Sequence, residues 1–151
     1  HIDNRFTLGV GNPNIREQLR ERLESAGGIL CSSISHLSHI GSHDVSIGVG
    51  VNILPGAKIS NSTFINDGCI VYYNSIITHD VYLGKFVEVS PNSALLGRCR
   101  IGDYTKIGAN STVLPDISVG KNCIVGAGSV VTKDVPDNTT VFGVPARIVS
   151  K

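Results

Sequence analysis

The chain of 151 residues has no methionine and no tryptophan, four phenylalanines and four tyrosines, and only 17% charged residues. Without a methionine, residue 1 is not a natural start, and something upstream of it is expected to have been removed. Lysine plus arginine outnumber aspartate plus glutamate by 13 to 12, so there is no basic excess of the kind a nucleic-acid polymer attracts. No stretch of about 18 apolar residues is available to span a membrane. No signal peptide is recognisable. Cys31, Cys69, Cys99 and Cys123 form no CxxC pair, which points the same way and makes a cytoplasmic location the expectation. A hydrophobic content of 41% at this length fits one domain, or a main domain with a small appendage.

What the sequence does have is a strict period. Every sixth residue from Ile47 to Val131, fifteen in succession, is Ile, Leu or Val. A fixed internal repeat marks a solenoid, and a repeat of six marks a parallel β-helix. Two residues before each lead position stands a small or aliphatic residue, among them Ala57, Cys69, Ser75, Cys99, Ser111 and Cys123. Strand side chains alternate between faces, so both positions point the same way, into a narrow core. Three residues after each lead position, 11 of 15 residues are Gly, Asn or Asp, the types that tolerate a left-handed backbone. Pro55-Gly56, Pro91-Asn92 and Pro115-Asp116 carry type II turn chemistry. Each hexad reads as a short strand followed by a corner.

Three hexads close one coil of 18 residues, so residues 47–136 are predicted to form about five coils. Residues 18 apart then stack at about 4.8 Å and define three corner columns. One holds Asn61, His79, Gly97, Pro115 and Lys133, and a second holds Pro55, Tyr73, Pro91, Ala109 and Ala127. The third, Val49, Asp67, Lys85, Asp103 and Lys121, alternates in charge and reads as solvated surface. The first column sets a titratable His79 against Gly97. Gly97 precedes Arg98, where no left-handed residue is needed, so this glycine is assigned to the close approach of a ligand. Cys69, Cys99 and Cys123 fall on inward places and read as core packing.

Ahead of the hexads, Phe6–Val10 reads as a strand, Gly11-Asn12-Pro13-Asn14 as a turn, and Ile15 to Ser25 as an amphipathic helix carrying Leu19 and Leu23. Ala26-Gly27-Gly28 stops it, and a second strand follows over Ile29–Ser33. This is half of a Rossmann-like β-α-β unit. The expected organisation is a partial Rossmann-like subdomain over 1–34, a β-helix over 35–136, and a C-terminal cap over 137–151.

The hexads resemble those of the hexapeptide-repeat acyltransferases, which implies a left-handed β-helix of triangular section. The β-α-β appendage, Leu8-Gly9-Val10-Gly11-Asn12, His36, Thr78-His79-Asp80 and the closing Gly143-Val144-Pro145-Ala146-Arg147 narrow the likeness. Together they resemble the family of sialic acid O-acetyltransferases and nucleotide-linked amino-sugar N-acetyltransferases. The family's first strand, glycine loop and helix are absent, so those sugar contacts are not assigned. The resemblance implies that His79 is the general base, that Asp80 orients it, and that the Gly97 N–H receives the oxyanion. It implies acetyl-CoA as co-substrate, held in a groove of small residues at Gly108-Ala109 and Gly126-Ala127, with Gly97 beside it and Lys133 and Arg147 meeting its phosphates. A substrate contact is expected from His36, and another from Glu88, which stands where relatives carry a second histidine. The implied assembly is a homotrimer with sites between subunits.

Three other readings stay open. O-acetylation of sialic acid or another sugar hydroxyl would use the same base. A γ-type carbonic anhydrase needs three histidines on zinc, and only His79 lies within the regular coils, although His36, His39 and His43 cluster before them. A non-catalytic scaffold would have no reason to stack His on Gly. The expectation is an acetyl-CoA-dependent N-acetyltransferase of a nucleotide-linked amino sugar, without a metal.

Overall fold

The structure, a computed structural model, describes residues 3–150; the outermost residues of the expected subdomain and cap, 1–2 and 151, lie outside the described residues. The hexads wind into a parallel β-helix with three flat faces. The first face runs from Ser33–Ile34 to Thr140–Phe142, and Arg147–Ser150 folds back antiparallel to make its eighth strand. The second has six strands, from His39–Ile40 to Val130–Val131. The third has five, from Ser46–Ile47 to Ser118–Val119, continued by a bridge between Val119 and Val135. Through the middle of the molecule the ladder follows the sequence period, with Ile59, Ile77, Leu95, Val113 and Val131 aligned on the second face.

The helix is longer than the hexad run. Ile34 pairs with Ile53 and Ile40 with Ile59, so a further coil precedes Ile47 and about six are complete. An extra residue at the corner between Ile40 and Ile47 throws this coil out of phase, which is why the period does not reveal it. At the other end Val125 pairs with Val141 across a shortened last coil.

Inward side chains form a single column of core. The lead residues from Ile53 to Val131 are 0–2% exposed, and the small inward places, Cys69, Cys99 and Cys123 among them, are at 0%. Burial pushes the thiols of Cys69 and Cys99 up to about 12, so both are unreactive packing groups. Buried hydroxyls bond to backbone carbonyls, as in Thr105 to Gly120 (2.6 Å) and Ser75 to Ser90 (3.0 Å). No buried side-chain polar atom among the described residues lacks a partner.

Every sixth residue from Gly50 to Gly128 has φ between 53° and 77°. That set includes Ser62, Phe86, Arg98 and Tyr104, so a left-handed residue is used after Gly97 although its type gave no sign of it. The ladder imposes the conformation on whatever residue stands there. The charged column is also more than surface. The carboxylates of Asp67, Asp103 and Asp137 accept the N–H groups of Val49, Lys85 and Lys121, one coil away, at 2.8–2.9 Å. Burial alone would raise the Asp103 carboxyl, but the Lys85 N–H and the Lys121 ammonium at 3.0 Å outweigh it and hold it below the usual range.

The appendage comprises β1 (Arg5–Phe6), α1 (Pro13–Ser25) and β2 (Ile29–Leu30), with β1 and β2 parallel. Asn12 caps α1 by accepting from Asn14 N and Ile15 N, so the helix begins at Pro13, two residues earlier than the pattern suggests. β1 ends early because Asn52 of the first face captures the chain. Its Nδ2 donates to Leu8 O and its Oδ1 accepts from the Thr7 hydroxyl, both at 2.6 Å. The helix docks through polar groups, while Leu23 remains 38% exposed. Arg16 is wholly buried, and its five N–H donors reach Gly68 O (2.7 Å), Val10 O (2.8 Å), Gly11 O (3.0 Å), Phe86 O (2.6 Å) and Val87 O (3.4 Å). Tyr104 donates to Glu17 at 2.8 Å beside it.

Replacing Arg16 by methionine would orphan several buried carbonyls, and is expected to destabilise the protein by about 3–5 kcal/mol in urea unfolding. Lysine, with three donors on a point charge, should recover only part. Asp103 has a lowered folded-state pKa, so its stabilisation is present above its unfolded value and lost as pH falls through the folded one. The urea midpoint should therefore drop below about pH 4, and Asp103→Asn should flatten part of that drop.

Candidate active site

The corner between the second and third faces carries Asn61, His79, Gly97, Pro115 and Lys133, as the period demands. Two backbone bonds run down it: Arg98 N–H donates to His79 O (3.1 Å), and Asp116 N–H donates to Gly97 O (3.0 Å). The His79 ring lies against the next coil. A Cβ on Gly97 would stand 2.7 Å from His79 Cε1 and 2.9 Å from Nε2, so the imidazole itself requires this glycine. That is a reason within the chain, beside the ligand approach expected from the sequence.

His79 Nδ1 and Asp80 Oδ2 are 2.7 Å apart, with the two side chains about half exposed. A carboxylate only accepts, so Nδ1 carries the proton and Nε2 keeps its lone pair, on the side of Gly97. The Gly97 N–H has no acceptor among the described residues. A basic nitrogen, its orienting carboxylate and a free amide donor thus share one edge. Below them Arg98 grips Asp116 through two bonds of 2.6 and 2.8 Å, a pair that no sequence reading singled out. The Asp116 bond raises the guanidinium's pKa, and the same bond lowers that of the carboxyl.

Of the other expected site residues, Lys133 stands two coils beyond Gly97 in the same column, and the rest fall elsewhere in the chain. His36 is exposed at the corner between the first and second faces, above Pro55. Glu88 points outward on the first face, half-buried beneath the Gly11 loop, where a Cβ on Gly11 would stand 3.2 Å from its Oε1. Burial raises its carboxyl above the usual range, against the opposing pull of Lys106 and Arg16. Neither residue shares the His79 edge.

Gly108-Ala109 and Gly126-Ala127 stack at the corner between the first and second faces. Each glycine has a packing reason. A Cβ on Gly108 would lie 2.6 Å from Val125 O and Ala127 N, and one on Gly126 would overlap the Phe142 ring. Ala109 and Ala127 stand beside them, one coil apart. Lys133 and Arg147 do come together, around a cavity of about 270 Å³ floored by Val131, Val135, Val141 and Ile148. Among the described residues no group of three or more His, Cys, Asp or Glu side chains could hold a metal ion. No helix among the described residues is long and apolar enough to cross a membrane.

Residues 98–133 match the family model described as bacterial transferase hexapeptide, six repeats. The whole chain is similar to PerB of Caulobacter crescentus, solved with CoA and GDP-perosamine: 31% identity, TM-score 0.94, over 97% of this chain and 70% of that one. It is similar to the acetyltransferase domain of PglB from Neisseria gonorrhoeae, at 33% identity and TM-score 0.91, over 95% and 69% respectively. That domain has also been solved with acetyl coenzyme A. AntD of Bacillus cereus, an N-acyltransferase, is 19% identical over 87% of this chain and 88% of its own, with a TM-score of 0.75, and shares the fold. The chain therefore belongs to the hexapeptide-repeat acyltransferases, within the left-handed β-helix sugar N-acetyltransferases that include PerB and the PglB domain.

Proposed function

We propose that the protein is an acetyl-CoA-dependent N-acetyltransferase acting on a nucleotide-linked amino sugar, with His79 as general base. The observation that carries this is the His79–Asp80 pair stacked on Gly97, with a free Nε2 and a free amide at one edge. The relatives support the substrate class, since PerB was solved with CoA and GDP-perosamine. The amine of the sugar attacks the thioester carbonyl and forms the new C–N bond. His79 Nε2 takes the amine proton, and Asp80 holds the ring in the tautomer that leaves Nε2 free. The Gly97 N–H donates to the carbonyl oxygen as it becomes negative. When the C–S bond breaks, the sulfur leaves with the electron pair and accepts the proton from His79. No covalent enzyme intermediate is needed.

The thioester arm fits the track at Ala109 and Ala127, where little side chain stands between a thin chain and the backbone. That track and His79 lie on two corners separated by the whole second face. A single chain cannot bring them together, so we assign the active assembly to a homotrimer in which one chain's track meets its neighbour's His79. The uncharged outward residues Ala94, Thr112 and Val130 on that face suit close packing of copies. Lys133 and Arg147 would then receive CoA phosphates, and His36 and Glu88 would approach the acceptor from the adjoining subunit. The partial Rossmann-like unit, the cap and a cytoplasmic location belong to the same reading.

His79→Ala should lower turnover by roughly 10²- to 10⁴-fold while CoA affinity stays near that of the wild type; unchanged turnover would remove His79 from the mechanism. Gly97→Ala should drive the imidazole from its seat and cost about 10²-fold in rate, with a crystal structure showing the His79–Asp80 bond broken. Acetyl-CoA consumption with UDP-, dTDP- and GDP-linked amino sugars against sialic acids tests the acceptor class. Preference for sialic acids would reject N-acetylation.

A further inference from the structure

Asp80, Arg98 and Asp116 follow one another, one coil apart, down the corner that carries His79 and Gly97. All three have the same backbone conformation, with φ of 60°, 63° and 64°. Each is tied to the column beside it in the same way: Asp80 N–H donates to Asn61 O (3.2 Å), Arg98 N–H to His79 O (3.1 Å) and Asp116 N–H to Gly97 O (3.0 Å). Their Cα–Cβ bonds therefore leave the corner in parallel, at a spacing of about 4.8 Å. Arg98 stands midway between two carboxylates, one coil below Asp80 and one coil above Asp116. It takes Asp116, with Nε to Oδ1 at 2.6 Å and Nη2 to Oδ2 at 2.8 Å. The Asp116 bond is the main cause of its raised pKa, and the charge of Asp80 adds to it, so Asp80 lies within the field of the guanidinium.

Which carboxylate Arg98 takes matters because Asp80 is already committed. Its Oδ2 faces His79 Nδ1 at 2.7 Å, and that single bond sets the tautomer of the ring. A guanidinium fork engages both oxygens of a carboxylate and brings a full charge, so it is the stronger partner. The four side chains involved are 50–63% exposed, and no packing locks them in place. Arg100, the neighbouring cation on the third face, is engaged over the Tyr82 ring at 4.6 Å. Asp134, one coil below Asp116, accepts the Ser118 N–H at 2.8 Å. Arg98 is left with Asp116 or Asp80.

Resting on the acetyl-transfer reading above, we infer that Asp116 is a positioning residue for the His79–Asp80 pair: by holding the Arg98 fork, it reserves the Asp80 carboxylate for His79 Nδ1. Without Asp116 the fork turns up to Asp80, takes both oxygens and draws the carboxylate away from the ring. Nδ1 then loses its acceptor. The neutral imidazole is free to carry its proton on Nε2 instead, and in that form it cannot take a proton from the acceptor amine.

A double-mutant cycle tests this. Asparagine tolerates the left-handed conformation at both positions, so Asp116→Asn, Arg98→Asn and the double variant all keep the corner. Nitrogen NMR of the imidazoles, with the His79 signals assigned by their loss in His79→Ala, reads the tautomer. Asp116→Asn should move His79 from the Nδ1–H form towards the Nε2–H form and lower kcat by about tenfold, with the KM for acetyl-CoA unchanged. Removing Arg98 as well should restore both the tautomer and kcat, and Arg98→Asn alone should keep the wild-type tautomer. The urea midpoint should stay near that of the wild type throughout, since an exposed ion pair adds little to stability. A wild-type tautomer in Asp116→Asn would overturn the proposal, as would a loss that persists in the double variant. The tautomer is read without substrate, so the two ideas separate. A tautomer that depends on Asp116 only while Arg98 is present, with turnover absent or unmoved, would reject the proposed reaction and uphold the role of Asp116.

Discussion

Everything in this molecule hangs on a parallel backbone ladder that repeats after 18 residues. Each rung donates to the rung one coil away, as Thr78 N does to Leu95 O, Leu96 N to Val113 O and Leu114 N to Val131 O. The ladder converts sequence distance into vertical stacking. It also fixes one residue at each corner from Gly50 to Gly128 in a left-handed conformation, whether that residue is Gly56 or Arg98. Chemistry placed at a corner is therefore placed to within the precision of the ladder. The imidazole of His79 rests on Gly97 for this reason, and no loop has to hold it.

A second constraint joins the appendage to the prism. Arg16 has no acidic partner among the described residues; it is neutralised by carbonyl dipoles from the Val10-Gly11 loop and from two successive coils at Gly68 and Phe86. Burying a guanidinium costs free energy, and burial lowers its pKa accordingly. All five donors are satisfied, which offsets the cost and leaves only one way for α1 to sit. The Gly11 loop is thereby held directly over Glu88 and near Tyr72. The appendage is a fixed wall of the first face.

Much of this was legible in the residues. The hexads gave the faces, the core and the three columns, and the column with His79 and Gly97 is the one that forms the candidate site. The first coil escaped because one added residue between Ile40 and Ile47 breaks the phase. The left-handed backbone at Phe86, Arg98 and Tyr104 escaped because the ladder overrides residue preference. Arg16 lies in the helix that Leu19 and Leu23 mark, and only the fold shows the carbonyls that receive it. The roles of Asp67, Asp103 and Asp137 as acceptors for a neighbouring coil needed coordinates too, since alternating charge alone reads as surface.

The central claim is that the acceptor amine, the imidazole and the Gly97 amide converge at one edge of the prism. A crystal structure with CoA and a nucleotide-linked amino sugar bound tests it most directly. The account expects the amine within about 3 Å of His79 Nε2, and the sulfur of CoA, supplied along a neighbouring chain, beside Gly97. An amine seated at another corner, with His79 facing only solvent, would contradict it.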